Sequence, residues 1–266
     1  MTYLLLAIVG LGAGVLGGML GIGGSVIMLP AMKWILDPPG GAPENIHQYQ
    51  AAAMMVNFLL CLPSAWAHLK NHAVWPKVWS YVAASAFLAI VGGVLVSNLF
   101  DKDAARYLNW LVGVFFLYVL VQNLYRAFRP PKQEGLSRQE VEAFSPLRKC
   151  SVGVPMGFAA GLLGIGGGAV AVPLQQMVLK MPMRNAIATS AAVIASVSWL
   201  GALTKNLTLG AKGSIATSCL LVACLAPTAM VGAYVGGHLT HRLPLRLVRV
   251  LFAVLMAVSA ATMFLK

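Results

Sequence analysis

Two glycine-broken apolar segments recur in this chain. They are Gly14-Val-Leu-Gly-Gly-Met-Leu-Gly-Ile-Gly-Gly-Ser-Val-Ile-Met-Leu-Pro30 and Gly157-Phe-Ala-Ala-Gly-Leu-Leu-Gly-Ile-Gly-Gly-Gly-Ala-Val-Ala-Val-Pro173, in register without a gap at an offset of 143 residues. Leu-Gly-Ile-Gly-Gly stands at Leu20 to Gly24 and again at Leu163 to Gly167, and Pro30 answers Pro173. The chain is therefore an internal duplication in which each half carries an interrupted hydrophobic segment at the same place. Paired, interrupted segments of this kind point to the substrate site of a membrane transporter.

The membrane setting follows from the apolar runs. With 59% hydrophobic and 10% charged residues, the chain lies far from the roughly 25% charged residues of soluble domains. Long apolar stretches at roughly 51–67, 78–99, 107–125, 186–203, 213–236 and 244–265 reach or approach the roughly 17–25 residues that cross a hydrocarbon core. The expected fold is an all-α integral membrane protein. The amino terminus lacks a basic leader and a small-residue cleavage site, so it reads as a retained span.

Charge placement sets the expected topology. The net charge of +12 reflects Lys and Arg in short connections between spans, where they act as orientation signals. No basic-aromatic module surrounds them, which argues against nucleic acid as a partner. If each glycine segment crosses once, the 19 basic residues divide 11 to 8. If each enters and returns as a hairpin broken at Gly21–Gly24 and Gly164–Gly167, they divide 13 to 6, and the positive-inside rule prefers this arrangement. Each half then holds one broken hairpin plus about three transmembrane helices, and an odd number of spans makes the halves inverted-topology repeats. The expected organisation is repeat 1 over 1–128, a cytoplasmic linker over 129–148 and repeat 2 over 149–266, forming one membrane domain with both termini periplasmic.

The glycine core carries the functional expectation. Adjacent glycines open a helical ladder, and backbone freed at membrane depth must face protein or a water-filled cavity. Half-helices starting at Ser25 and Gly168 would present positive dipole ends and N–H donors, which bind anions. All seven acids lie outside the apolar runs, whereas cation transporters and proton pumps keep such groups inside. Gly14/Gly18, Gly17/Gly21, Gly157/Gly161, Gly164/Gly168 and Gly232/Gly236 also fit close helix packing. Gly12-x-Gly14-x-x-Gly17 matches a dinucleotide fingerprint only literally, because no strand precedes it.

The remaining polar residues are few. Asn57, Gln175, Thr189 and Ser190 sit on or beside candidate pore-lining helices. Lys70 and Lys205 recur near span ends and read as snorkelling anchors or as electrostatic guides at the mouths of a pathway. His68 with His72 and His238 with His241 have helical spacing but no third ligand type, so no metal site is expected. Cys61, Cys150, Cys219 and Cys224 lack metal-ligand spacing and read as buried structural thiols. No nucleophile elbow or carboxylate pair is present, so no enzyme activity and no cofactor are expected.

At Gly157 to Pro173, at Ala188-Thr189-Ser190 and at His68…Val74-Trp75, the chain resembles the sulfite exporter TauE/SafE family, also called the four-toluene-sulfonate uptake permease family. The likeness covers nearly everything but the linker. It implies a bacterial inner-membrane carrier for sulfite or an organosulfonate. In that reading Gly23, Gly24, Ser25, Gly166, Gly167 and Gly168 supply backbone donors, and Thr189 and Ser190 supply side-chain donors. A homodimer is compatible with it, and the bilayer and a small sulfur oxyanion are the implied partners. The first half departs from the pattern with Ser25 in place of a third glycine and Met54-Met55 against Thr189-Ser190. The competing expectation is a non-transporting membrane scaffold whose glycines serve packing alone.

Overall fold

A computed structural model describes residues 2–36, 46–100, 135–210 and 213–244, with further helical positions inside 107–125 and 247–261. Among these residues the chain is helical without strands. The helices are α1 (Thr2–Leu20), α2 (Ser25–Leu36), α3 (Ile46–Lys70), α4 (Pro76–Asn98), α5 (Arg138–Glu142), α6 (Pro146–Leu163), α7 (Gly168–Val178), α8 (Met183–Leu207) and α9 (Ile215–Arg242). Five of them, α1, α3, α4, α8 and α9, are long and apolar enough to cross a membrane. The first part of the linker, with Pro130-Pro131, lies outside the described residues, as do Asp37, Glu44, Asp101, Asp103 and Glu134.

Helices α3 and α8 form the centre and are the most deeply buried of the five. They run antiparallel. At one end the Asn206 amide donates to the Ala51 carbonyl (3.3 Å), and at the other the Asn185 amide donates to the Ala73 carbonyl (2.9 Å).

The outer pairs each join one helix from the first half to one from the second. On α1, a β-carbon at Gly10, Gly14 or Gly18 would overlap the Leu225, Ala229 or Ala233 backbone of α9. On α6, Gly153, Gly157 and Gly161 meet Val82, Ala86 and Ile90 of α4 in the same way. Small residues four apart allow backbones to approach closely, and this drives helix association where lipid competes equally for apolar surface. The packing expectation thus holds at Gly14/Gly18, Gly157/Gly161 and Gly232/Gly236. Leu4, Ile8, Leu88, Leu95 and Val231 remain exposed and apolar on the outer surface.

The two glycine segments fold back on themselves. In the second half the Arg148 guanidinium, in the first turn of α6, donates twice to the Val178 carbonyl that ends α7 (3.0 and 2.6 Å). The chain therefore enters, breaks and returns to the same end. In the first half Gly17 meets the Gly23–Gly24 backbone and Gly24 meets the Ala13 carbonyl. At about 1.5 Å per residue, the return helices of 12 and 11 residues reach only part of the way across a bilayer.

The end that receives Arg148 also gathers charge. Lys77 and Arg138 both reach Glu142 (3.9 and 2.7 Å), and the Lys149 ammonium donates to the Glu142 carbonyl (2.7 Å). Helix α5 starts with a capping box: the Ser137 hydroxyl accepts from the Glu140 N–H, and the Glu140 carboxylate accepts from the Ser137 N–H.

Candidate functional site at the two glycine breaks

Helix α2 begins at Ser25 and α7 at Gly168, the positions where the pattern of glycines places fresh helix starts. The breaks form because glycine alone adopts left-handed backbone at little cost. Gly21 and Gly23 have φ of 63° and 79°, while Gly164, Gly166 and Gly167 have 69°, 76° and 75°. Gly164 closes α6 with its N–H bonded to the Ala160 carbonyl (3.0 Å). The first intrahelical bonds of the new helices run from Ile27 and Met28 N–H to the Gly24 carbonyl, and from Val170 and Ala171 N–H to the Gly167 carbonyl. The N–H groups ahead of them belong to the open, positive ends of α2 and α7.

The breaks touch each other. A β-carbon on Gly168 would overlap the Gly21–Ile22 backbone. Between them lies Asn57 of α3. A β-carbon on Gly23 would strike its Oδ1, and one on Gly166 would strike its Nδ2. Asn57 is fully buried, and both polar atoms lack a hydrogen-bond partner. Leaving a buried donor or acceptor unpaired costs roughly 1–3 kcal/mol each, so this amide is held in the core at an energetic loss.

The other expected residues divide into four groups. Gln175 and Ser190 are fully buried and meet, with Gln175 Nε2 donating to Ser190 Oγ (3.1 Å), while Gln175 Oε1 has no partner. Ser25 Oγ is buried without a partner in the first turn of α2. Thr189 is engaged elsewhere, its hydroxyl accepting the Trp75 N–H (3.3 Å). The Cα–H faces of Gly24 and Gly167 are packed, Gly24 against Leu60 and Met28 and Gly167 against Met156 and Ala160.

The two lysines are not equivalent. Lys70 is exposed at the end of α3, its ammonium 5.6 Å from the Trp66 ring centroid. Lys205 is fully buried and donates to His47 Nδ1, Ser97 Oγ and Asn98 Oδ1, each at 2.9 Å. The helix contacts show which positions correspond. Gly93 meets the Phe158 carbonyl as Gly236 meets that of Val15, and Gly164 meets Gln50 as Gly21 meets Ile187. These pairs put α4 and α9 in register at an offset of 143 residues and α3 and α8 at 137, which sets Lys205 opposite His68, not Lys70. By the same offset Thr189-Ser190 stands opposite Ala52-Ala53 and not Met54-Met55.

His68 has its own partners. Its Nδ1 is 3.0 Å from His241 Nε2, and its Nε2 is 3.3 Å from the Gly18 carbonyl. The sequence spacing that paired His68 with His72 therefore missed the contact that forms. Among the described residues no three His, Cys, Asp or Glu side chains gather to hold a metal. Cys61 is buried but Cys219 is exposed on α9, so the thiols are not uniformly buried.

The pattern of the family described as Sulfite exporter TauE/SafE matches residues 6–263. The chain is 32% identical to a probable membrane transporter protein of Methanocaldococcus jannaschii, over 79% of this chain and 74% of that one. It is 24% identical to the probable membrane transporter protein YunE of Bacillus subtilis, covering 91% and 90%. It is likewise 24% identical to the probable membrane transporter protein MamO of Magnetospirillum gryphiswaldense, over 97% of this chain but only 44% of that longer protein. No solved structure matches.

Proposed function

This chain belongs to the sulfite exporter TauE/SafE family and is a multi-pass membrane transporter, and we propose that it is a secondary carrier exporting a small sulfur oxyanion, sulfite or an organosulfonate, across a bacterial inner membrane. The anion is held where the two glycine breaks meet. The observation that carries this reading is the Asn57 amide, buried between Gly23 and Gly166 with neither polar atom satisfied.

The chemistry suits an anion. Backbone N–H groups at Gly23, Gly24, Ser25, Gly166, Gly167 and Gly168 belong to two helix starts whose dipoles favour negative charge. Asn57 Nδ2 and the Ser25 hydroxyl add side-chain donors, and the Gln175–Ser190 pair stands one to two turns along the adjoining helices. Antiparallel α3 and α8, and outer pairs built across the halves, support inverted repeats that rock about this point. The linker then lies in the cytoplasm and both termini in the periplasm. An inside-negative potential favours anion exit by about 2.3 kcal/mol per charge per 100 mV.

The test is flux in proteoliposomes with sulfite, sulfate and an organosulfonate, comparing the wild type with Asn57→Leu. The expected result is anion flux that falls at least tenfold in the variant, about 1.4 kcal/mol in barrier, with the melting temperature retained or raised. Wild-type liposomes that move none of these anions would overturn the proposal.

A further inference from the structure

We infer that the ion held at the breaks carries its own proton: the site takes a monoprotonated oxyanion, such as hydrogen sulfite, in preference to a fully deprotonated oxyanion or a sulfonate. This rests on the proposed site and narrows its ligand.

Asn57 presents one donor group and one acceptor on the same buried side chain, Nδ2 towards Gly166 and Oδ1 towards Gly23, and both are unpartnered. Exchanging the two atoms by rotating the amide leaves one donor and one acceptor. A ligand that fits this group must therefore both accept and donate. Sulfate and sulfonates only accept: their oxygens satisfy Nδ2 but bring a lone pair against Oδ1, which stays desolvated and repelled. A monoprotonated oxyanion satisfies both, its O–H donating to Oδ1 and one charged oxygen accepting from Nδ2. Its remaining oxygen faces the open ends of α2 and α7.

The surroundings place the proton on the ligand. The side chains that the left-handed glycines meet are those of Asn57, Gln50, Ile187, Met156 and Ala160, none of which ionises. Titratable and charged groups on the packed elements stand on other turns, among them Lys33 on α2, His47, Tyr49 and His68 on α3, Arg148 and Lys149 on α6, Arg184 and Lys205 on α8 and His241 on α9. Cys61, one turn from Asn57 on α3, is a buried thiol. A neutral amide in place of a lysine or arginine also matches a singly charged ion better than a doubly charged one, because the smaller charge needs less compensation in a desolvated site.

The experiment measures binding of sulfite and of methanesulfonate to the purified full chain by thermal shift, at neutral pH and one unit lower. Methanesulfonate keeps its single charge and lacks an O–H at both values, so it reports any titration of the protein itself. Sulfite should bind at least tenfold tighter than methanesulfonate, and its apparent affinity should rise on acidification in proportion to the hydrogen sulfite present. Methanesulfonate should show no parallel rise, and Asn57→Leu should erase the preference. Methanesulfonate binding as tightly as sulfite, or sulfite affinity indifferent to pH, would overturn the inference while leaving an anion carrier in place. Binding of neither anion would overturn the carrier reading itself and this inference with it.

Discussion

Lys205 donates to His47 across the bundle, its ammonium 2.9 Å from Nδ1 of an imidazole whose Nε2 lies 2.8 Å from the Phe100 carbonyl. The geometry assigns His47 as neutral, accepting at Nδ1 and donating at Nε2. One fully buried cation thereby ties the end of α8 to the starts of α3 and the end of α4. A charge in such a place persists only when its hydrogen bonds are supplied.

Lys205→Met should consequently destabilise the protein, because it removes the hydrogen bonds that the ammonium gives to His47, Ser97 and Asn98, each worth roughly 1.5–3 kcal/mol when one partner is charged. Lys70→Met, on an exposed side chain, should change stability by less than about 0.5 kcal/mol. Thermal melts of the two variants in detergent would separate them, and equal effects would contradict the difference in burial.

Gly14→Ala should loosen the contact between α1 and α9, since its β-carbon would overlap the Ala229 carbonyl. Forcing atoms into a packed interface costs typically 1–3 kcal/mol. Gly12 on the same helix has nothing within 4 Å of its would-be β-carbon, so Gly12→Ala should be neutral or stabilise by up to about 1 kcal/mol. Monodispersity after heating is the readout.

Gly167→Ala should lower stability as well as transport. The sequence alone leaves two outcomes open: transport lost at nearly unchanged stability if the N–H faces the anion, or stability lost if the glycine only allows close helix contact. With φ at 75° and the Met156 carbonyl 2.8 Å from the added carbon, the substitution costs about 1–2 kcal/mol for left-handed backbone plus the contact, which selects a loss of stability. A variant melting like the wild type would contradict this geometry.

Reporter fusions at Gln133 and after Lys266 should report opposite compartments, the first cytoplasmic. The 13-to-6 division of basic residues and the gathering of Lys77, Arg138, Arg148 and Lys149 at one end motivate this. The same compartment for both would remove the inverted arrangement.

Acid should fray α5. The Ser137 hydroxyl, and then its N–H, hold the Glu140 carboxyl below the usual carboxylate range. A depressed value means the cap contributes above the ordinary carboxylate range and is lost as pH falls through the lower folded value. Protection of the α5 amides, measured against the intrinsic exchange rate at each pH, should therefore fall on acidification, and Ser137→Ala should weaken that dependence by removing the hydroxyl that contributes most.

Much of the fold was legible in the residues taken in order. Hydropathy over bilayer lengths marks α3, α4, α8 and α9, because lipid imposes a one-dimensional requirement on consecutive residues. The doubled Leu-Gly-Ile-Gly-Gly marks both breaks and the starts of α2 and α7, because left-handed backbone needs glycine at those very positions. Which helix meets which is not written that way. A stripe such as Gly10, Gly14 and Gly18 announces close approach but not its partner, and only the folded bundle pairs it with Leu225, Ala229 and Ala233. The same holds for polar groups. Lys70 and Lys205 look alike at span ends, and Asn57 looks like any isolated amide in an apolar run. Burial of one lysine beside His47, and the setting of Asn57 between Gly23 and Gly166, depend on contacts between residues far apart in the chain, which tertiary packing alone brings together.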